Sequence, residues 1–179
     1  ADAGLTGDAA TAYAQGKGQL WGGYTSLVQN MGAFLGIYGF TWLTSQLGRK
    51  PAFAIFFIAA TISTAIVFMK LTELWQIFVL VPIMGFCQLA LFGGYAIYFP
   101  ELFPTRLRST GTSFCYNVGR LVAASGPAVL GLLTSEVFTI AKGYEEPMRY
   151  AGLSMCSVFL LGLIALPFLP ETKGKPLPE

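Results

Sequence analysis

The stretch AFAIFFIAATISTAIVFM, residues 52–69, determines the fold class of this chain. It has no charged residue, and its length lies within the roughly 17–25 residues that a helix needs to cross the hydrocarbon core of a bilayer. Inside a bilayer a segment must satisfy its own backbone hydrogen bonds, and a single segment does so only as a helix. The stretch therefore predicts a transmembrane helix.

Four other apolar segments have a similar length: residues 25–47, 75–99, 111–134 and 150–169. The whole chain is 54% hydrophobic and only 11% charged, whereas about 25% of the residues in an ordinary soluble domain are charged. We predict an all-α membrane protein with a five-helix transmembrane domain at residues 25–169.

Basic residues predict the orientation. The connections after the first, third and fifth spans hold basic residues close to the membrane, namely Arg49, Lys50, Arg106, Arg108, Lys173 and Lys175. The other connections hold fewer basic residues, and acidic residues accompany them. The positive-inside rule then places the amino end outside and the carboxyl end in the cytoplasm. We expect an integral plasma-membrane protein (inner membrane in a bacterium), with an external loop remnant at 1–24 and a cytoplasmic tail at 170–179.

The residue types present exclude several functions. The chain has no histidine, and its cysteines, Cys87, Cys115 and Cys156, lie in apolar segments without metal-ligand spacing. No span combines a nucleophile with a base, so we predict no catalytic residue, no metal, no cofactor and no enzyme activity. The basic residues are scattered, so nucleic acid is not an expected partner, whereas the lipid bilayer is.

The spans differ in their faces. The first, third and fourth have small and polar residues at helical spacing, which predicts close packing inside a bundle. The second and fifth have bulky apolar residues around most of the helix, with nothing more polar than Ser or Thr. We expect these two to face lipid.

Three motifs coincide with the predicted cytoplasmic ends of the spans: LGRK at 47–50, PELFPTRLRSTG at 100–111 and LPETKG at 169–174. In this order and spacing the chain resembles the major facilitator superfamily, specifically its sugar porters and proton-linked metabolite symporters. The resemblance implies helices eight to twelve of a twelve-helix transporter, within its carboxyl-terminal six-helix bundle. It also implies an amino-terminal half as a partner. Ser45 and Gln46 depart from the family pattern, which has charged residues shortly before its G-R-[RK] motif.

The resemblance also implies a cytoplasmic gate. Glu101, Arg108 and Arg49 match the family residues whose ion pairs hold the gate shut in the outward-open state. The alternative is that these charges are solvated and only set the topology of the chain.

Depth in the bilayer suggests a solute site. At about 1.5 Å per residue, Arg120 lies roughly 14 Å from the cytoplasmic end of its span, and Gln88 is similarly far from both ends of its own. Transporters of this kind bind solute near the midplane. Other polar side chains could extend the site, and the full set of binding candidates is Arg120, Asn117, Gln88, Tyr95, Gln29 and Asn30. Asn117 and Gln88 could equally form hydrogen bonds between helices, whereas Arg120 needs a partner because a mid-bilayer cation is costly.

These observations predict part of a secondary active transporter that moves a small polar metabolite, a sugar or an organic acid, by alternating access. Proton coupling is expected, although the spans contain no Asp or Glu, so its carboxylate would lie outside this chain. The alternative is a structural or interaction subunit of the membrane that derives from a transporter and no longer transports.

Overall fold

The structure is a computed structural model that describes residues 8–176 and 178. These residues form helices and turns, with no strand among them, and the predicted all-α class is confirmed. The helices are α1 (Asp8–Leu47), α2 (Arg49–Lys70), α3 (Ile77–Leu102), α4 (Arg108–Ala124), α5 (Gly126–Leu132), α6 (Pro147–Met155) and α7 (Ser157–Ala165). A single residue separates α4 from α5 and α6 from α7, so each pair forms one bent span.

In the described part of the chain, four helical segments are long and apolar enough to cross a membrane: Arg49–Lys70, Leu74–Leu102, Arg108–Val137 and Pro147–Phe168. They coincide with four of the five predicted spans. Helix α1 contains the other predicted span, residues 25–47, but it is not among the four. Gln29, Asn30 and several glycines lower its apolar character, because this helix presents small and polar residues on one face.

Helix α1 begins much earlier than expected. Residues 8–24, which the sequence suggested as part of an external loop, are helical, and residues 1–7 of that loop lie outside the described residues. The early segment contains four Ala and two Gln, which favour helix and offset its four glycines. With 40 residues, α1 is about 60 Å long, twice the roughly 30 Å of a hydrocarbon core.

Helices α1 and α3 pack backbone against backbone. A side chain at Gly32 would overlap the backbone of Pro82, and one at Gly36 would overlap the backbone of Phe86. From the other side, Gly85 of α3 lies against the backbone of Gln29. The small-residue stripe predicted for the first span is therefore a packing surface, as the spacing indicated.

The expectation that the second span faces only lipid is wrong for one side of α2. Phe53, Phe56 and Phe57 are buried in an aromatic core with Phe40 of α1, whose ring centroid lies 5.0 Å from that of Phe53. In contrast, α4 and α5 bury none of their residues, although their stripe predicted an interior position. The spacing of small residues predicts a face suited to close packing, but no further helix among the described residues covers that face of α4 and α5.

The carboxyl end of α2 is capped by Arg149, a residue from the last span. Arg149 donates hydrogen bonds to the carbonyl oxygens of Met69 and Leu71, at 3.1 and 3.4 Å, and forms an ion pair with Glu146 at 2.8 Å. The last carbonyls of a helix lack intrahelical partners, and a cation there also interacts favourably with the helix dipole. Arg149 thus fixes the start of α6 against the end of α2.

We expect Gly36→Ala to destabilise the fold, because the added methyl group overlaps backbone that cannot move aside without separating α1 from α3. Overpacking typically costs about 1–3 kcal/mol. Reversible unfolding in mixed micelles measures the change. The matched control is Gly131→Ala, also within a helix, where nothing lies within 4 Å of the added carbon. Equal stability of the two variants would show that the α1–α3 contact is loose.

Candidate functional site

Gly48 joins α1 directly to α2. It is the only residue between the two helices, and its φ of 105° lies in the region that favours glycine. The sharp turn exposes the first backbone N–H groups of α2, which have no intrahelical partner. The turn therefore creates a site for a hydrogen-bond acceptor beside Arg49.

Arg49 and Glu101 form the ion pair that the resemblance implied. The guanidinium donates from Nε to Oε2 at 3.1 Å and from Nη2 to Oε1 at 2.6 Å. This two-bond geometry fixes orientation as well as distance. Because the side chains are only 19% and 17% exposed, water screens the pair less than it would screen a surface pair.

Glu171 fills the position beside Gly48. Its Oε1 accepts a hydrogen bond from the backbone N–H of Arg49 and its Oε2 accepts one from that of Lys50, both at 2.9 Å. Burial raises the pKa of the Glu171 carboxyl, but these donors and the N–H groups of Thr172 and Lys173 outweigh it, so the pKa is lowered overall. Glu171 is thus an ionised cap on the amino end of α2.

The neighbours of Glu171 attach the chain end to the same place. Thr172 donates from its hydroxyl to Glu101 Oε2 at 2.6 Å, and Lys173 donates from Nζ to the carbonyl of Gln46 at 2.7 Å. We call Arg49, Glu101, Glu171 and Thr172 the charge cluster. It connects the amino end of α2 with the carboxyl end of α3 and the segment that follows α7.

Arg108, the third residue of the predicted gate, does not pair with Glu101 in this structure. Arg108 donates from Nε to the carbonyl of Pro100 at 3.1 Å, and its other contacts are with Thr105 and Pro178. The cause is Pro104, which lacks the N–H that would normally bond the carbonyl four residues earlier. Arg108 supplies that missing donor, while Arg49 and Thr172 already occupy both oxygens of Glu101.

Sequence reasoning did not select Glu171 or Thr172, although both lie within the LPETKG motif. A signal was available, because Arg49 and Lys50 place two cations at the start of α2, where the helix dipole disfavours them and favours an acidic partner. The sequence does not show which of the acidic residues is close enough to fill the position.

Arg120 lies at a second place, an open hollow of about 400 Å³ between α3 and α4. The volume is within the range of about 300–1,000 Å³ that is common for small-molecule sites. Arg120 itself is exposed, and it forms no hydrogen bond or ion pair with any residue that the structure describes. The residues that line the hollow are Phe92, Tyr95, Phe99, Cys115, Tyr116, Gly119, Arg120 and Ala123.

Of the predicted binding residues, the structure brings together Arg120 and Tyr95. Gln88 instead donates a hydrogen bond from Nε2 to the Thr64 hydroxyl of α2 at 2.5 Å, the packing role that the sequence left open. Asn117 donates to the carbonyl of Ser113 at 2.9 Å, outside the hollow.

The two candidates on α1 also lie elsewhere. Asn30 donates to the carbonyl of Ser26 at 2.7 Å, and Gln29 packs against Gly85. Phe92, Phe99 and Tyr116 line the hollow but were not chosen from the sequence. Each lies three or four positions from Tyr95 or Arg120 on the same helix, a spacing that places side chains on one face.

A family model and several individual relatives match this chain. A family model described as Major Facilitator Superfamily matches residues 18–179. A metabolite transport protein of Haemophilus influenzae, by its assigned name, is 31% identical over 90% of this chain and 36% of its own length. A cis,cis-muconate transport protein of Acinetobacter baylyi is 35% identical over 87% of this chain and 34% of its own length.

A synaptic vesicle 2-related protein of Xenopus laevis is 29% identical over 87% of this chain and 27% of its own length. The chain thus spans about a third or less of these relatives. The first two have transporter names rather than enzyme names, which supports a non-enzymatic function at the family level. No solved structure gives a significant match.

We expect Glu171→Gln to lower stability at neutral pH by about 0.3–1 kcal/mol, the usual effect of an anion at a helix start. The pKa of Glu171 is lower in the folded chain than in the unfolded one. Its contribution is therefore complete above the unfolded pKa of about 4.3 and is lost as pH falls through the folded pKa. The free energies of unfolding of the wild-type protein and of Glu171→Gln, measured between pH 7 and pH 3, should become equal at the acid end of this range. Glu145→Gln, at the opposite end of the bundle, is the control, and a constant difference at all pH values would contradict the cap.

Proposed function

Because this chain belongs to the Major Facilitator Superfamily, we propose that it forms part of a secondary active transporter that moves a small organic acid by alternating access. It is an integral membrane protein with four helical segments, among the described residues, that could span a bilayer. The transport names of the relatives support a small solute as the transported species.

Arg120 is the observation that favours an organic acid over a sugar. It is a cation in mid-span, and in the described part of the chain no carboxylate pairs with it. An unpaired cation at this depth costs about 2.5–3.5 kcal/mol on the insertion scale, so a partner is required when the helices lie in a bilayer. The carboxylate of a solute supplies that partner, and guanidinium geometry suits carboxylates.

The proposal includes an amino-terminal half that completes the solute pathway. The open side of the Arg120 hollow and the uncovered face of α4 give that half a surface to pack against.

We propose the orientation that the basic residues predict, with the charge cluster at the cytoplasmic end. If transport is coupled to protons, the titrating carboxylate belongs to the other half, because the predicted spans here contain no Asp or Glu.

The charge cluster is proposed to act as the cytoplasmic gate. Its ion pair and caps join α2, α3 and the terminal segment at a single point, so that breaking them frees three segments together. Single pairs of this type contribute about 0.2–1 kcal/mol, which is small enough for repeated opening.

We expect Arg120→Gln to lower the saturable uptake of an organic acid at least about tenfold in vesicles that contain the complete transporter. The corresponding loss, about 1.4 kcal/mol, is close to the lower end of the roughly 1.5–3 kcal/mol that a hydrogen bond to a charged group contributes. Arg120→Lys should retain part of the uptake, because it keeps the charge but not the planar fork. Muconate and a neutral hexose are the labelled probes.

The thermal unfolding midpoint separates this role from a structural one. Arg120→Gln should leave the midpoint unchanged, whereas a variant that fails to assemble would assign Arg120 to holding helices together. Hexose uptake that is unaffected by Arg120→Gln would contradict the organic-acid proposal, and no uptake of any solute by the complete protein would favour the non-transporting subunit.

We expect Glu101→Gln to loosen the gate, because the neutral side chain loses the ion pair with Arg49. Cys115 lines the Arg120 hollow and reports on access. A membrane-impermeant maleimide applied from the cytoplasmic side should label it about two to five times faster, which corresponds to about 0.5–1 kcal/mol. Cys87 and Cys156 are buried and are replaced by Ala in the assay background. Unchanged labelling would mean that the charge cluster does not close the pathway.

A further inference from the structure

One side of the Arg120 hollow is a wall of aromatic rings. Phe92, Tyr95 and Phe99 of α3 and Tyr116 of α4 all line it, and we call these four side chains the ring wall. The Tyr95 and Phe99 rings are stacked, with centroids 5.2 Å apart and planes at 5°. The Phe99 and Tyr116 rings meet edge to face at 5.4 Å, so the wall is continuous across the two helices.

The ring wall is fixed before any solute arrives. The Tyr95 ring also stacks on Phe53 of α2, at 5.5 Å and 20°, and Phe53 belongs to the buried aromatic core. The Tyr116 hydroxyl donates a hydrogen bond to the Phe92 carbonyl at 3.4 Å, which connects α4 to α3 at the edge of the hollow. A preorganised surface binds without the cost of ordering its side chains first.

Tyr116 and Arg120 are neighbours on the surface of α4. Residues four positions apart on a helix lie about 5–6 Å from each other, measured between Cβ atoms. A carboxylate bound to the Arg120 guanidinium therefore brings the carbon atoms attached to it against the Tyr116 ring. Among the described residues that line the hollow there is no acidic and no amide side chain, so the hydroxyl groups of a sugar would find few partners there.

We propose that Tyr116 is a specificity-determining residue, and that the hollow selects carboxylates with a flat, conjugated carbon skeleton over carboxylates with a puckered, saturated one. Arg120 binds the carboxylate, and the flat skeleton lies against the Tyr116 ring, where a puckered skeleton makes poorer contact. This inference rests on the proposed organic-acid function and refines its substrate class.

Two acids of nearly equal size test the proposal. Benzoate and cyclohexanecarboxylate have the same carboxylate and the same number of carbon atoms, but only benzoate is flat. The complete transporter in nanodiscs is titrated with each acid by calorimetry at neutral pH, and the ratio of the two dissociation constants is the readout. We expect the wild-type protein to bind benzoate about tenfold more tightly, which is near the upper end of what one aromatic pair contributes.

Tyr116→Leu should lower this ratio at least about threefold while changing the affinity for cyclohexanecarboxylate by less than about twofold. Tyr116→Phe keeps the ring without its hydroxyl and should preserve the ratio, which guards against a variant that fails to fold. The matched control is Phe114→Leu, because Phe114 lies on the same helix, is 67% exposed and does not line the hollow. It should also preserve the ratio.

Equal binding of the two acids by the wild-type protein, or an unchanged ratio in Tyr116→Leu, would overturn the assignment of Tyr116. The organic-acid function would survive either result if Arg120→Gln still abolished the binding of both acids. If the wild-type protein bound neither acid, and Arg120→Gln had no effect on the uptake of any organic acid, the organic-acid function would fail as well, and with it the inference.

Discussion

Helix ends inside or beside a membrane leave backbone groups without partners, and this structure depends on charged side chains that supply those partners. Glu171 accepts from the first N–H groups of α2, and Arg149 donates to the last carbonyls of the same helix. Lys173 donates to a carbonyl at the end of α1, and Arg108 to one near the end of α3. The few charged residues of an apolar chain are therefore concentrated where the backbone needs them.

This requirement explains both what the sequence predicted and what it did not. The lengths and composition of the apolar segments predicted the all-α fold and the positions of four spanning helices, because these properties are local. The partner of each helix end is not local, since Arg49 and Glu171 are 122 positions apart in the chain. The motif letters grouped Arg49, Glu101 and Arg108, but they did not reveal that Arg108 bonds the carbonyl of Pro100 while Arg49 pairs with Glu101.

The proposed solute site shows a similar difference between what the sequence predicted and what it did not. Depth and residue type singled out Arg120, and the structure places it in a hollow beside Tyr95. The amides were less predictable, because a short amide side chain is readily satisfied close to its own helix, as Asn30 and Asn117 are, or by one hydroxyl of a neighbour, as Gln88 is. A guanidinium with five N–H donors is much harder to satisfy in this way. Arginine in mid-span is accordingly a stronger reason to expect a partner from outside its own helix than asparagine or glutamine.

The turn at Gly48 has a mechanical consequence. With a single residue between them, α1 and α2 are joined by a short elbow rather than by a long loop. Helix α1 is about 60 Å long, so a small change in its tilt is transmitted as a rotation at the elbow, directly beside the Arg49 guanidinium. The glycine contacts between α1 and α3 resist such a tilt from one side. A tilt of the long helix about its contact with α3 would therefore move the Arg49–Glu101 pair.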